Sequence, residues 1–150
     1  MNSSCQIRPA QFAEIARLTL IRRTAILTLA APTMGREQAQ SWADSAPPNR
    51  VQLALELHEV WVATHLGEAV GWVEIGGDHI AGIYVDPPHA GQGIGSALLA
   101  HAERQIQAAG YTTVRLDASW NAENFYLHRG YQPLGERSLA AGRPLIKKLT

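Results

Sequence analysis

Hydrophobic positions change their spacing along the chain, and the first part has the spacing of helices. Residues 10–30 carry apolar side chains three and four positions apart, which predicts a first helix with one buried stripe. Pro32 and Gly35 are expected to interrupt it before helical composition resumes over residues 36–44. We interpret these segments as a two-part helical lid. Residues 50–57 fit either a short helix or a strand, because their apolar side chains also alternate.

The middle of the chain has the composition and spacing of β-strands. Residues 60–63 and 69–75 are rich in β-branched and aromatic side chains, and the turn between them predicts a hairpin. A third strand is predicted over residues 79–85, where Gly82 indicates a bulge or a close backbone approach. These three strands follow one another directly, so we expect them to be antiparallel neighbours.

The last third of the chain alternates between helix and strand. A helix with one apolar side is predicted from Ile94 until Gly110 ends it. The remaining predicted elements are a strand, a short helix and two strands, over residues 112–116, 121–129, 131–134 and 144–149. This order predicts a mixed α/β sheet rather than a regular βαβ series.

Composition and charge exclude several classes of function. With 150 residues, 46% of them hydrophobic and 17% charged, we expect one domain over residues 1–150. Equal numbers of basic and acidic residues, 13 each, predict no general attraction to nucleic acid or to an anionic membrane. No apolar run approaches the length of a spanning helix, so we expect neither export nor membrane insertion. The single cysteine, Cys5, and the scattered histidines favour a cytoplasmic protein without a metal site.

The most informative segment is a glycine-rich turn from strand to helix, over residues 85–96. Its alternate glycines leave the backbone N–H groups of Gly91 to Ser96 uncovered at the positive end of a helix dipole. A pyrophosphate fits this arrangement, although a purely structural turn has similar composition. A dinucleotide-binding loop is a competitor, because Asp117 lies where a ribose-binding acid belongs. Against it, Ser96 replaces the third glycine, and no parallel βαβ unit surrounds the loop.

Four short motifs follow one another in and around this loop. They are Ile83-Tyr84-Val85-Asp86-Pro87, Ala90-Gly91-Gln92-Gly93-Ile94-Gly95, Ser96-Ala97-Leu98-Leu99 and Ala122-x-x-Phe125-Tyr126-x-x-x-Gly130-Tyr131. Their order and spacing resemble the GNAT family of N-acetyltransferases. Two positions depart from the family pattern: Ala90 replaces an arginine or glutamine, and Ser119 replaces an asparagine for which Asn121 is a nearby substitute.

The resemblance implies a fold and a co-substrate. The fold is a GNAT-like, mostly antiparallel sheet of six to seven strands flanked by about four helices. The loop would hold the pyrophosphate of acetyl-CoA, and the preceding strand would lie along its pantetheine arm. The residues expected to contact the co-substrate are Ile83, Tyr84, Val85, Gly91, Gln92, Gly93, Ile94, Gly95, Ser96, Asn121 and Tyr126.

Acetyl transfer to an amine needs a neutral nucleophile, a polarised thioester carbonyl and a proton for the departing thiolate. By resemblance, the Tyr126 hydroxyl is the general acid; the alternative is a tyrosine that only packs in the core. Backbone N–H groups near Tyr84 and Val85 are candidates for polarising the carbonyl. Glu74 and His79 are our candidates for the base, and a chain of water molecules is the alternative to both.

We expect direct transfer of the acetyl group to a primary amine of a small molecule or peptide, because no acyl-enzyme nucleophile is evident. The alternative is a non-catalytic acyl-CoA-binding module that senses or recruits, since two motif positions are altered. The resemblance also makes a homodimer an expectation, although no segment indicates an interface.

Several aromatic and basic side chains are candidates for the site or for the core. We expect Trp42 and Trp120 to line an acceptor pocket, and Trp61 and Trp72 to fill the core. Arg129 fits two roles equally well, as a ligand of the co-substrate's ribose phosphate or as a cap on helix carbonyls.

Overall fold

The computed structural model describes residues 5–138 and 141–150, which contain seven strands in one mixed sheet. The strands are β1 (Cys5–Pro9), β2 (Glu59–His65), β3 (Glu68–Gly76), β4 (His79–Val85), β5 (Thr113–Ala118), β6 (Gln132–Pro133) and β7 (Arg143–Lys148). Their order in the sheet is β1-β2-β3-β4-β5-β7-β6, and only β4 and β5 run parallel among these pairs. The predicted fold class is confirmed, and β1 is a strand that the sequence pattern did not indicate.

The helices of the described residues are short except for one. They are α1 (Ile15–Ala25), α2 (Ala31–Met34), α3 (Arg36–Asp44), α4 (Arg50–Leu57), α5 (Ile94–Ala108) and α6 (Glu123–Leu127). The ambiguous segment is the helix α4, which buries Val51 and Ala54 three residues apart on one side. Nowhere in residues 5–138 and 141–150 is a helix both long and apolar enough to cross a membrane.

Pro32 does not interrupt the first helical region, contrary to expectation. A turn of π-helix over Ile26–Ala30 joins α1 to α2, and Pro32 lies in the first turn of α2. Proline is tolerated there because its missing N–H is one that a first turn leaves unpaired. Gly35, at φ +89°, separates α2 from α3 as predicted.

The two faces of the sheet carry different helices. On β3, Val73 and Ile75 point towards α5, whereas Trp72 points towards α1 and α4. Trp72 is fully buried, and its indole N–H donates to the Leu18 carbonyl oxygen at 3.0 Å. The core therefore consists of two apolar layers separated by the sheet.

The sheet opens where β4 separates from β5. The two strands pair only through His79 with Arg115 and Ile80 with Leu116, at the start of β4. Beyond these pairs the β4 backbone groups on that side have no β5 partner. A gap therefore runs between two central strands, next to the entrance of α5.

A β-bulge lies beside this gap, one residue earlier than predicted. Ala81 is the extra residue on β4, because the residues before and after it pair with Ile75 and Glu74. The close approach expected at Gly82 is confirmed, since a Cβ atom there would lie 2.6 Å from the Tyr84 hydroxyl oxygen. Glycine at this position makes room for the Tyr84 ring.

An ion pair fixes the end of β1 against the turn that follows it. Arg8 donates to both Glu14 carboxylate oxygens at 2.8 Å, and the Gln11 backbone N–H donates to one of them at 3.0 Å. The hydrogen bonds from Arg8 lower the pKa of Glu14. A lowered carboxylate pKa stabilises the fold above the unfolded-state pKa, and this contribution is lost as the pH falls through the folded-state value.

We therefore expect Glu14→Gln to reduce the free energy of unfolding by about 1 kcal/mol at pH 7. The difference should be smaller at about pH 3, because protonation of Glu14 weakens the ion pair as the pH falls from the unfolded-state pKa through the lowered folded-state value. Urea unfolding of both proteins at the two pH values measures it. An equal difference at both values would contradict the assignment.

Candidate active site

A cavity of about 660 Å³ passes through the gap between β4 and β5. Its walls come from the loop before α5, the separated strands, α6, the helical region from Arg22 to Trp42, and Arg50 at the start of α4. Every residue predicted to contact the co-substrate lines this cavity except Gln92. No group of three side chains suited to a metal ion occurs within the described ranges.

The loop at one end of the cavity presents unpaired backbone donors. Gly91 and Gly93 have φ values of +77° and +83°, which turn the chain into the first turn of α5. Among the described residues, the N–H groups of Gly91 to Ser96 donate to no other part of the chain. The first conventional helix bond is from the Ala97 N–H to the Gly93 carbonyl, at 3.0 Å. This geometry suits an anion with several oxygen atoms.

Arg129 connects α6 to this loop and performs one of the two roles considered for it. Its guanidinium donates to the Phe125 carbonyl at 2.8 Å, which caps α6. It also donates to the Ser96 hydroxyl at 2.8 Å and lies 3.9 Å from the centroid of the Phe125 ring. The side chain lines the cavity, so it brings positive charge to the loop.

Tyr126 lies in the wall of the cavity and is buried, with 7% of its surface exposed. Its ring packs edge-on against Phe125 and Tyr131, with centroid distances of 5.1 and 5.5 Å. Its hydroxyl makes no hydrogen bond to any residue that the structure describes. Burial, with a smaller contribution from Tyr84, raises the pKa of Tyr126, so the phenol stays protonated at neutral pH.

The two residues suggested as the base do not line the cavity. Glu74 is buried beside α4, where its carboxylate accepts from Arg50 at 2.8 Å and lies 2.6 Å from Nδ1 of His58. His79 stands at the first residue of β4, at the closed end of the gap. The structure therefore does not bring either residue together with Tyr126.

Comparison with known proteins decides the family. The profile of the acetyltransferase (GNAT) domain matches residues 30–147. The chain belongs to the GNAT acetyltransferase family. This membership, together with relatives named as N-acetyltransferases, supports an acetyl-CoA-dependent acyltransferase.

Three relatives illustrate how closely this GNAT chain matches proteins of known structure or name. It is 36% identical over 77 residues to the peptidyl-lysine N-acetyltransferase YjaB of Salmonella typhimurium. The aligned residues cover 51% of this chain and 52% of that protein, so the match spans about half of the curated relative. A GCN5-related N-acetyltransferase structure from Rhodopseudomonas palustris is 28% identical, with a TM-score of 0.91, covering 99% of this chain and 98% of that one. PaiA N-acetyltransferase from Thermoplasma acidophilum, in complex with coenzyme A, is 18% identical, with a TM-score of 0.80 and coverages of 97% and 99%. The last of these shows the fold alone.

Three charged residues of the GNAT cavity were not predicted as acceptor-site residues: Arg22, Arg50 and Asp117. Asp117 follows the buried Leu116 on β5 and is the one carboxylate among the described residues that line the cavity. Apolar and polar residues alternate along β5, which was a signal that the Asp117 side chain faces away from the core beside α5. On α1, the charged Arg22 lies in a stripe of otherwise apolar buried residues, and a charged residue at such a position was the signal for a site residue.

The four tryptophans divide between core and cavity. Trp42 lines the cavity as predicted, and Trp72 is core as predicted. Trp120 does not line the cavity; its indole N–H donates to the Ser138 carbonyl at 3.1 Å instead. Trp61 packs against the α5 layer, next to His101.

Proposed function

We propose that this chain transfers the acetyl group of acetyl-CoA directly to a primary amine, with the loop before α5 holding the pyrophosphate. The set of unpaired N–H groups from Gly91 to Ser96 carries this proposal. A Cβ atom at Gly91 or Gly93 would meet nothing within 4 Å, so the space in front of the loop is open. The Thermoplasma acidophilum protein, which has the same fold, is a complex with coenzyme A.

The pantetheine arm lies along β4 in this proposal. After Ile80, the β4 edge that faces β5 has no ladder partner, so its backbone groups are free to bind an amide-containing chain. This places Ile83, Tyr84 and Val85 beside the arm and leads it into the gap. A backbone N–H of the same edge then polarises the thioester carbonyl.

Tyr126 acts as the general acid. The amine nitrogen forms a bond to the carbonyl carbon, the carbon–sulfur bond breaks, and the leaving thiolate takes the proton of the Tyr126 hydroxyl. The proton of the attacking amine passes to water beside Asp117, the carboxylate in the described cavity lining, and the Tyr126 phenolate regains a proton from that water. A base role for Glu74 or His79 would require intervening water, because neither lines the cavity.

The chain is proposed to work as one domain over residues 1–150. A cytoplasmic site of action and a homodimer are also part of the proposal. The homodimer rests on family resemblance alone.

Calorimetric titration with acetyl-CoA, with NADH as the control ligand, tests the proposal first. We expect saturable binding of acetyl-CoA and none of NADH. Thiol release from acetyl-CoA in the presence of a panel of primary amines then measures transfer. Binding without thiol release from any amine would support the non-catalytic alternative, and binding of NADH alone would contradict the family's co-substrate.

A further inference from the structure

Within the described part of the chain, Arg22 is a buried cation without a counter-ion. Only 8% of its surface is exposed, and no carboxylate lies within 4 Å of it in the described parts of the chain. Of its five N–H donors, one donates to the Ala43 carbonyl at 3.2 Å, and the buried Nε has no partner. Burying a charge is unfavourable unless the charge is paired, so an anion bound in the cavity would stabilise this guanidinium.

The surroundings of Arg22 place that anion in the cavity. Arg22 lines the cavity and lies 5.7 Å from the centroid of the Tyr84 ring. Arg50, from α4, lines it too and lies 5.9 Å from the same ring. Glu74 is the carboxylate that pairs with Arg50, so it does not serve as the counter-ion of Arg22. Positive charge is therefore in excess around Tyr84.

The pyrophosphate of the co-substrate is not this anion. The loop from Gly91 to Ser96 enters α5, which packs on one face of the sheet. Arg22 belongs to α1, which packs on the other face with Trp72. The anion that pairs with Arg22 therefore enters from the α1 face of the sheet, opposite the loop from Gly91 to Ser96. The acceptor approaches the thioester from this same α1 face.

We propose that Arg22 and Arg50 bind a carboxylate of the acceptor, which makes the acceptor a small amino acid-like molecule carrying both an amine and an acid. This inference rests on the proposed function, because it names the substrate of the same site. The planar guanidinium fork matches the two oxygens of a carboxylate. Asp117 completes the arrangement as the acidic group available to the amine. Apolar side chains from the helical region, Ile26, Leu29 and Met34, surround the body of the acceptor.

The test compares acids with matched neutral amines. Initial rates of thiol release are measured on the full chain at saturating acetyl-CoA for L-amino acids, their C-terminal amides and a lysine peptide with blocked termini. We expect kcat/KM for the best acid to exceed that of its amide by at least about tenfold, since one charge-assisted hydrogen bond separates them. In Arg22→Gln the acid should lose about tenfold to a hundredfold through KM, and its amide should lose clearly less.

Arg23→Gln is the matched control. Arg23 is the next residue of α1, but it is exposed and pairs with Asp44 at 2.7 Å. Its substitution should leave the preference for acids intact. If Arg22→Gln fails to fold, Arg50→Gln and the charge-retaining Arg22→Lys replace it. Arg50→Gln should reduce the preference, and Arg22→Lys should keep part of it.

A binding measurement separates this inference from the proposed function. Thermal unfolding is followed in the presence of coenzyme A and either an amino acid or its C-terminal amide. The amino acid should raise Tm more than its amide in the wild-type chain, and this difference should disappear in Arg22→Gln. Any one of three results would overturn the inference. They are equal kcat/KM values for acid and amide, an equal loss of kcat/KM for both in Arg22→Gln, and a higher kcat/KM for the blocked peptide than for the acids. Absence of thiol release from every amine would instead overturn the proposed function, and the Tm comparison would still decide whether a carboxylate binds.

Discussion

Tyr126→Phe should lower kcat by about a hundredfold or more, since a positioned general acid contributes roughly that much. Without the phenol, the thiolate of coenzyme A leaves unprotonated. The phenylalanine keeps the ring contacts with Phe125 and Tyr131, so the wall of the cavity is preserved. The Kd for acetyl-CoA, measured by calorimetry, should therefore change little.

Tyr131→Phe is the control for this substitution. Tyr131 is also buried and lies beside Tyr126, but its hydroxyl donates to Glu103 at 2.7 Å and it does not line the cavity. Its loss should reduce stability without reducing kcat. Equal kcat values for the wild-type chain and Tyr126→Phe would remove Tyr126 from the mechanism, while leaving acetyl-CoA as the ligand.

The pH dependence of the wild-type chain follows from the same burial. Because the pKa of Tyr126 is raised above its ordinary value of about 10, the phenol holds its proton throughout the neutral and mildly alkaline range. We expect no decline of kcat between pH 7 and about 10 from loss of this proton. A decline in that range that disappears in Tyr126→Phe would show that Tyr126 titrates there.

Gly93→Glu should weaken acetyl-CoA binding by about fivefold or more. A side chain at φ +83° adds roughly 1 to 2 kcal/mol of backbone strain, which lowers the stability of the fold with or without the ligand. The new carboxylate lies at the N-terminus of α5, where it competes with the pyrophosphate for N–H groups and repels it by about 1 kcal/mol. Titration calorimetry with acetyl-CoA measures the combined effect.

Gly110→Glu is a closely matched control at the other end of the same helix. Gly110 has φ +101°, and a Cβ there would meet nothing within 4 Å, as at Gly93. Both substitutions should lower Tm, because both introduce a strained side chain. Only Gly93→Glu should weaken acetyl-CoA binding; a similar loss in Gly110→Glu would attribute the effect to general destabilisation.

Local features of the site were predictable because their chemistry is local. The glycine loop and the start of α5 depend on residues next to one another, so spacing alone indicates an anion site at Gly91 to Ser96. The close approach at Gly82 was likewise visible in one strand. The position of the bulge was not, because Ala81 is displaced by pairing with β3, which local sequence does not describe.

Base candidates illustrate the opposite case. Glu74 is an acid on a predicted strand, and nothing near it in the chain shows whether its carboxylate is free. In the folded chain α4 brings Arg50 and His58 onto it, so the carboxylate is already paired. The same packing takes Glu74 out of the cavity lining.

By itself, the sequence determined the mixed sheet, the order of its central elements, the phosphate-type loop and the position of Tyr126 after β5. These follow from periodicity, glycine placement and motif spacing, which act over a few residues. Only the tertiary structure decided that Arg22 is buried without a counter-ion among the described residues and shares a cavity with Arg50. Burial and charge pairing between distant segments depend on how helices dock on the sheet, and that is where the proposed acceptor specificity arises.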